Sequence, residues 1–468
     1  MTPNLFLADL GPELELTPQI IRDACFSIRR NREKWLARRR TRELIDLLAF
    51  TAEQWLDPLN GYRSQALRDG PADTGLPAAT FSRGLDTFFR SLTSEQLEGV
   101  ITQDLGDVRK LDEFTSSPIE SRQGRASMAR GPELLGHICA GNLPVPALAS
   151  LVLGILTKSA QFLKLPRRGG ILPRLFAHSL AFNESKLGSC IEMATWPGGT
   201  RELEEALFQE VTCLTATGSD SALTDIQTRI PASVRFVRYG HRVSFGYIPV
   251  EALTAYVVKR TAREAVADIT AWNQHGCLSP HCLYLEDNGV HSPESFAEIL
   301  AEELKAKEAV EPRGPLAIEE ANAISSRREL CAMRAAVIPG PRERKLDSVF
   351  LEAPQSLRLW RSAGTTDWTI VLDTDPSFNP SCLNRFIYLK PVKNLSTALH
   401  FADRVRGQVG AVALAQAGER HSELALELAQ WGVTRICPLG RMQEPWLSWR
   451  HDGRPPLGDL VTWTDLES

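Results

Sequence analysis

At 468 residues with 43% hydrophobic side chains, the chain is long enough for two or three domains with substantial cores, which excludes a small stapled scaffold. Its 53 Lys and Arg against 57 Asp and Glu leave a net charge of −4, excluding a global attraction to nucleic acid or an anionic membrane. Nine cysteines, odd in number, scattered and without a Cys-x-x-Cys pair, fit reduced thiols better than a disulfide framework.

The first twenty residues carry Asp9, Glu13 and Glu15 and no basic start followed by an apolar run. No signal peptide is expected, and the expected location is the cytoplasm. Helical spacing of Ile20, Ile21, Cys25, Ile28, Trp35, Leu36, Leu44, Leu47 and Leu48 predicts a helix over 17–58. Within it, Arg29, Arg30, Arg32, Lys34, Arg38 to Arg40 and Arg42 read as a solvated face, since Glu33, Glu43 and Asp46 are interleaved. Asp69 to Pro77 predicts a loop, followed by helices at Thr80–Leu92 and Ser94–Gln103. Ile138 to Thr157 has no charged residue, but Asn142, Pro144 and Pro146 break it, so a loop entering a buried helix is expected and not a membrane span.

From Glu133 the pattern becomes α/β. Strands are predicted at Leu134–Cys139, Gln161–Leu165, from Val211 and at Val234–Arg238, separated by helices to Ser159 and at Leu172–Ala181. Such alternation predicts an open, mostly parallel sheet that binds a nucleotide at its strand ends. Further on come helices Pro293–Lys307 and Ile318–Val337, strands Trp368–Leu372 and Arg385–Leu389, a helix Thr397–Arg406, strand Val409–Leu414, helix Ser422–Trp431 and strand Val433–Cys437. The tail, with Trp446, Trp449 and Trp463, reads as irregular.

Cys277 sits in a turn, Gln274-His275-Gly276-Cys277-Leu278-Ser279-Pro280, ahead of the strand-like run Cys282 to Leu285. A turn fed by glycine can bring backbone N–H groups and the thiol to one bound carbonyl, which suits a nucleophile that forms a thioester. A free cysteine is also commonly a small buried hydrophobe. Zinc held by His275, Cys277, His281 and Cys282 is disfavoured, because adjacent ligands fit a tetrahedral site poorly, and no metal is expected. No Gly-x-Gly-x-x-Gly or phosphate-loop motif occurs. Gly218-Ser219, between a strand and a helix, could instead take a pyrophosphate on free N–H groups, or be a plain cap. Lys164, at the end of a strand in an apolar context, could reach a ribose or phosphate, or be a solvated surface lysine.

Gly141-Asn142-Leu143-Pro144, Phe162-Leu163-Lys164-Leu165-Pro166, Thr217-Gly218-Ser219 and Gln274-His275-Gly276-Cys277, in that order, resemble the aldehyde dehydrogenase superfamily. Arg238-Tyr-Gly-His-Arg-Val-Ser-Phe245, Gln274 to Pro280 and His451-Asp452-Gly453 more closely resemble the acyl-CoA reductases of the bacterial luminescence fatty-acid reductase complex, from about residue 130 onward.

That resemblance implies an α/β, aldehyde dehydrogenase-like fold: a Rossmann-type cofactor domain, an α/β catalytic domain and a small oligomerisation element. The expected boundaries are 1–119 with 131–249 for the N-terminal helices and cofactor domain, 250–440 for the catalytic domain, and 120–130 with 441–468 for the oligomerisation element.

It also implies roles. Cys277 would accept the acyl group, with the Asn142 amide and the Cys277 N–H as oxyanion hole; Gly218 and Ser219 would hold the pyrophosphate and Lys164 the ribose. Where oxidising relatives carry a water-activating glutamate, this chain has Tyr239-Gly240-His241, which protects a thioester. Arg167, where NAD-preferring relatives often place an acid, would welcome a 2′-phosphate, so NADPH is expected. His241 is the candidate proton carrier, with His275 as a second.

The implied activity is NADPH-dependent reduction of a fatty acyl-CoA or acyl-protein thioester to the aldehyde. The alternatives are a CoA-acylating aldehyde dehydrogenase running oxidatively, or a silent partner-binding subunit. Expected partners are the acyl thioester, an acyl-transferring synthetase or carrier protein, and further copies in a homodimer or homotetramer, without nucleic acid.

Overall fold

The computed structural model describes residues 4–11, 15–336 and 357–467, so the expected helix end at Val337 lies outside the described residues. The chain forms two compact units, one from Met1–Thr74, Phe81–His241 and Pro445–Ser468, the other from Gly75–Thr80 and Arg242–Glu444. Strands in chain order are β1 Arg125–Arg130, β2 Leu134–Ile138, β3 Ala160–Leu165, β4 Ile191–Thr195, β5 Cys213–Thr217, β6 Arg235–Tyr239, β7 Val243–Ile248, β8 Pro280–Glu286, β9 Leu357–Arg361, β10 Thr369–Asp373, β11 Phe386–Val392, β12 Val409–Leu414, β13 Ile436–Pro438 and β14 Thr462–Glu467.

In the first unit, β4-β3-β2-β5-β6 form a parallel sheet. A parallel sheet needs cover on both faces. One core combines Leu151, Ile155, Leu163, Leu175 and Phe176 with the N-terminal helices, and another combines Phe162, Leu207 and Leu214 with Ile21 and Cys25. Trp55 anchors the first: its ring stacks on Phe89 at 4.7 Å and its Nε1 donates to Ser179 Oγ at 2.8 Å.

The chain runs outward from β2 to β3 and β4, then returns to lay β5 and β6 on the other side. That reversal between β2 and β5 is the switch point beside which a doubly wound sheet opens its crevice. The uncharged stretch from Ile138 becomes the loop after β2 and the helix Val145–Leu156 buried in this core. Among the described residues, no helix is long and apolar enough to cross a membrane.

The single helix expected over 17–58 is two, Pro18–Trp35 and Thr41–Leu56. The break has a distant cause: Asp112 accepts from Thr41 N at 3.0 Å and from Thr41 Oγ1 at 2.7 Å, capping the second helix from 71 residues away. Arg30, Lys34, Arg38, Arg40 and Arg42 are exposed, as a solvated face requires, while two arginines of the first helix are held in place. Arg29 pairs with Glu210 at 2.6 Å, and Arg32, 5% exposed, donates to Lys158 O at 2.7 Å.

The loop expected over 69–77 is instead partly helical, because Gly61–Thr74 runs through Pro71 and Gly70 lies flat against the Phe81 ring. The tail is not wholly irregular either: β14 pairs antiparallel with β1, from Arg125 opposite Glu467 to Arg130 opposite Thr462.

Strand β4, unforeseen in the sequence, carries Glu192, whose Oε1 accepts from Leu7 N and Met193 N, both at 2.8 Å. Burial pushes this carboxyl up to about 7, against the pull of those two N–H groups. A carboxyl raised on folding contributes stability that is present at acid pH and is lost as pH rises from its unfolded value through about 7. Glu192→Gln keeps the accepting oxygen and removes the charge. It should therefore raise stability at pH 8 by roughly 1–3 kcal/mol and leave it unchanged near pH 4. Urea midpoints measured at both pH values check this, and a destabilised variant at pH 8 would refute it.

In the second unit the order is β13-β12-β7-β8-β11-β10-β9, parallel except for β9 at the edge. Strands β7 and β8 are buried at every position, and Phe245, Tyr284, Phe386 and Val412 share one core. The observed helices Pro293–Val310, Ile318–Ala336, Leu395–Ala402 and His421–Trp431 lie close to the expected ones.

Candidate active site

The first unit gathers several of the singled-out residues at the carboxyl ends of its parallel strands. Asn142 lies exposed in the loop after β2, Lys164 near the end of β3, and Gly218-Ser219 directly after β5. Register fixes their neighbourhood, since Ile138 faces Lys164 across β2 and β3 while β5 lies on the other side of β2. The loops after β2 and β3 touch backbone to backbone: a Cβ on Gly141 would meet Arg168 O at 3.1 Å, and Gly169, at φ +83°, approaches Gly141 O.

Lys164 is 7% exposed, yet its ammonium makes no hydrogen bond and no ion pair among the described residues. Burial pushes its pKa down; Glu204 opposes this and Arg167 adds to it. The Lys164 stem is buried while the ammonium keeps access to solvent, where a ligand could supply an anion or acceptor. The charge of Glu204 is already taken up, because its carboxylate accepts from Gly199 N at 3.0 Å and pairs with Arg229 at 2.6 Å. Arg167 is exposed, three residues beyond Lys164.

Ser219 is a helix cap as well as a candidate phosphate ligand. It precedes helix Asp220–Arg229 with extended backbone, and its Oγ accepts from Ala222 N at 3.3 Å. Beside it, a Cβ on Gly218 would meet nothing closer than Ala222 Cβ at 3.8 Å. A ligand's phosphate therefore has room there, with the positive end of a helix beneath it. His241 is exposed after β6, and its backbone N–H donates to Asp220 Oδ1 at 3.3 Å. Next to it, Tyr239 stacks on His451 at 4.4 Å, and His451 stacks on Trp449 at 4.6 Å, so the tail docks at the end of β6.

Cys277 belongs to the second unit, in the turn Gly276–Ser279 at the amino end of β8. Ser279 N donates to Gly276 O at 2.9 Å, which makes Cys277 and Leu278 the two central residues of a β-turn. Cys277 O accepts from Ser244 Oγ at 2.9 Å, and that oxygen in turn accepts from Ala411 N at 3.0 Å. The thiol is half-buried; burial raises the pKa of each of the other eight cysteines and keeps them as thiols. Among the described residues no group of three or more His, Cys, Asp or Glu side chains could hold a metal ion.

The sequence suggested that Gly276 supplies backbone freedom. The structure gives that part to residues without it: Trp272, Asn273 and Gln274 have φ of 51°, 49° and 65°. A second left-handed triplet follows in Leu383, Asn384 and Arg385, at 62°, 55° and 65°. Non-glycine residues rarely adopt this conformation, and it persists only where neighbours enforce it.

Here the two triplets enforce each other. Asn384 N donates to Asn273 O at 2.9 Å, Arg385 Nε to Asn273 Oδ1 at 3.1 Å, and Phe386 N to Gln274 Oε1 at 2.9 Å. Gln274 Nε2 donates to Pro280 O at 2.8 Å and Phe386 O at 3.1 Å, tying β8 to β11 below the turn. Arg385, 1% exposed, continues to Glu308 Oε2 at 2.6 Å and Glu311 O at 2.9 Å. His275 Nε2 lies 3.2 Å from Asn384 Oδ1 and 3.6 Å from Glu320 Oε1, so this ring also belongs to the support of the turn.

Sequence reasoning did not find Gln274, Asn384 or Arg385 as supports, and no glycine marks either triplet. On the far side of the turn, Asp268 accepts from Gly440 N at 2.6 Å and Met442 N at 2.8 Å, and burial pushes its carboxyl up to about 7.

Comparison with known proteins places the chain in a family and a fold. The chain matches the family described as Acyl-CoA reductase (LuxC) over residues 36–463. The long-chain acyl-protein thioester reductase of Aliivibrio fischeri is 22% identical over 377 residues, covering 79% of this chain and 70% of that protein. The protein of the same name from Photorhabdus laumondii subsp. laumondii is 22% identical over 435 residues, covering 92% and 82%. Among solved structures, a NAD-dependent benzaldehyde dehydrogenase from Corynebacterium glutamicum superposes with a TM-score of 0.68 at 11% identity, covering 97% of this chain and 91% of that one. Aldehyde dehydrogenase 21 from Physcomitrella patens gives 0.70 at 11% identity with the same coverage. The chain therefore belongs to the acyl-CoA reductase (LuxC) family and is an oxidoreductase of acyl and aldehyde groups with the aldehyde dehydrogenase fold.

Proposed function

We propose that this protein reduces a long-chain acyl thioester, carried by CoA or by a protein, to the aldehyde, using NADPH and a covalent acyl-Cys277 intermediate. The observation that carries the proposal is the Cys277 turn, a half-buried thiol presented between enforced backbone segments while burial keeps every other cysteine protonated. The relatives named long-chain acyl-protein thioester reductases support a long acyl chain.

The Cys277 thiolate attacks the thioester carbonyl carbon; the new C–S bond forms, the old one breaks, and the carrier thiolate leaves and takes a proton. The Cys277 N–H and the Asn142 amide are the proposed donors to the oxyanion. His241 is the proposed proton carrier, and His275, tied to Asn384, fixes the turn. With Tyr239-Gly240-His241 where oxidising relatives place a glutamate, that segment has no carboxylate to activate water against the acyl group.

The residues at the crevice of the first unit fit a dinucleotide. Lys164 would supply its unpaired ammonium to the ribose, Gly218 and Ser219 would receive the pyrophosphate, and Arg167 would meet a 2′-phosphate. When bound, the nicotinamide would supply the hydride that takes the carbonyl carbon to the aldehyde level. The ribbon of β1 and β14 is the proposed oligomerisation element of a homodimer or homotetramer.

Incubation with a radiolabelled long-chain acyl-CoA, without NADPH, should label Cys277, and NADPH should then release the label as aldehyde. Label on another residue, or no label with full turnover, would overturn the proposal. The cofactor assignment has its own check. Arg167→Ala should cut kcat/KM for NADPH by about 10- to 100-fold with little change for NADH, since one charge-assisted contact is lost. Steady-state kinetics with both cofactors measure it, and equal losses for the two would remove Arg167 from the 2′-phosphate site.

A further inference from the structure

Gly276 is a glycine for a reason other than backbone freedom. Its φ is not in the left-handed region, but a Cβ there would meet Gln443 Oε1 at 2.6 Å and Nε2 at 2.8 Å. The Gln443 amide thus lies against the Gly276 Cα. The same amide donates from Nε2 to Ser279 Oγ at 2.8 Å, and Ser279 is 1% exposed. Gly276 and Ser279 are the first and last residues of the turn that carries Cys277, so one side chain holds both ends of it.

Gln443 is itself firmly held. Asp268 binds the N–H groups of Gly440 and Met442. Arg435 donates to Met442 O at 2.6 Å and Arg441 O at 3.0 Å, and a Cβ on Gly440, at φ +86°, would meet Glu264 Cα at 3.2 Å. A half-buried glutamine that merely filled space would need no such frame.

We propose that Gln443 is a positioning residue for the nucleophile: by spanning Gly276 and Ser279 it sets the dihedrals of the Cys277 turn, and through them the directions of the Cys277 N–H and thiol. The proposal rests on Cys277 being the acyl acceptor. A misplacement of about 1 Å at a reacting atom commonly costs on the order of 100-fold in rate, without loss of the fold.

The test uses Gln443→Met, which keeps the volume against Gly276 but not the bond to Ser279, together with Gln443→Ala, Gly276→Ala and the double variant Gly276→Ala/Gln443→Ala. Three quantities are read in the full-length protein: the rate of acyl transfer from a long-chain acyl-CoA to Cys277, the rate of iodoacetamide alkylation at Cys277 by peptide mapping, and the melting temperature. Gln443→Met and Gln443→Ala should slow acyl transfer about 10- to 100-fold and change the alkylation rate, at nearly unchanged melting temperature. Gly276→Ala should be slower still, and removing the Gln443 side chain from that variant should restore at least about fivefold, because the collision disappears.

Wild-type acyl transfer and alkylation rates in Gln443→Met, or a double variant slowed by the product of the two single effects, overturn the proposal. Alkylation reports the turn whatever the reaction is. A nucleophile assignment that failed would instead show as reductase activity surviving in Cys277→Ala, with the Gln443 effect on alkylation intact.

Discussion

Cys277→Ala is expected to abolish acyl transfer to the protein and to lower acyl-dependent NADPH oxidation by roughly 1,000- to 10,000-fold or more, since no other group on that turn can form the thioester. The fold should tolerate the change. Cys277 is half-buried, and its carbonyl, which accepts from Ser244 Oγ, survives the substitution. A stability change within about 1 kcal/mol follows. NADPH affinity should also persist, because Lys164, Gly218 and Ser219 belong to the other unit. Fluorescence titration with NADPH, a stopped-flow trace of its oxidation and a melting curve are the three measurements. Turnover within tenfold of the unmodified protein would remove Cys277 from the chemistry.

Arg385→Met should have the largest effect on stability, about 3–5 kcal/mol, because it removes a fully buried guanidinium that donates to a half-buried carboxylate, a carbonyl and an amide oxygen. The guanidinium holds Glu308 Oε2, Glu311 O and Asn273 Oδ1 at once, at 2.6, 2.9 and 3.1 Å. Adding Glu308→Gln should recover part of the loss, as the remaining charge is then gone. Denaturant midpoints of the single and double variants test this. Because Asn273 lies four residues before the thiol, acyl transfer should also slow in protein that remains folded. An Arg385→Met protein as stable as its parent would refute this role for the guanidinium.

Much of the sheet structure was legible from single stretches. Val409–Leu414 was expected as a strand and is one, and Leu134–Cys139 differs from β2 by one residue, because both are short apolar runs closed by turn residues. Strand β4 was not legible: Glu192 interrupts its apolar run, and the partner that satisfies it, Leu7 N, is 185 residues away. Strand β7 is mostly apolar but holds Ser244 and also Gly246, whose place under Leu283 only the folded sheet reveals. Strands β1 and β14 escaped because β14 is exposed along its whole length and shows no apolar pattern. The break at Leu36–Arg40 depends on Asp112, outside any local window.

The same contrast runs through the site. The roles proposed for Cys277, Lys164 and Gly218-Ser219 lie in their own side chains or turns, so they could be named from a short motif. Gln274, Asn384, Arg385 and Gln443 matter through bonds to partners that are distant in sequence, 112 residues apart for Gln274 with Phe386. Nothing local distinguishes them from any other polar residue. Even Gly276 was noticed for a property it does not use.

Six non-glycine residues in left-handed backbone, on the order of 1–2 kcal/mol each, concentrate several kcal/mol of unfavourable conformation beneath one sulfur. Anyone engineering a hardier version of this protein would find the easiest gains there, by relaxing Trp272 or Leu383. The same relaxation would let the proposed nucleophile wander, so robustness gained at that spot should come with slower catalysis.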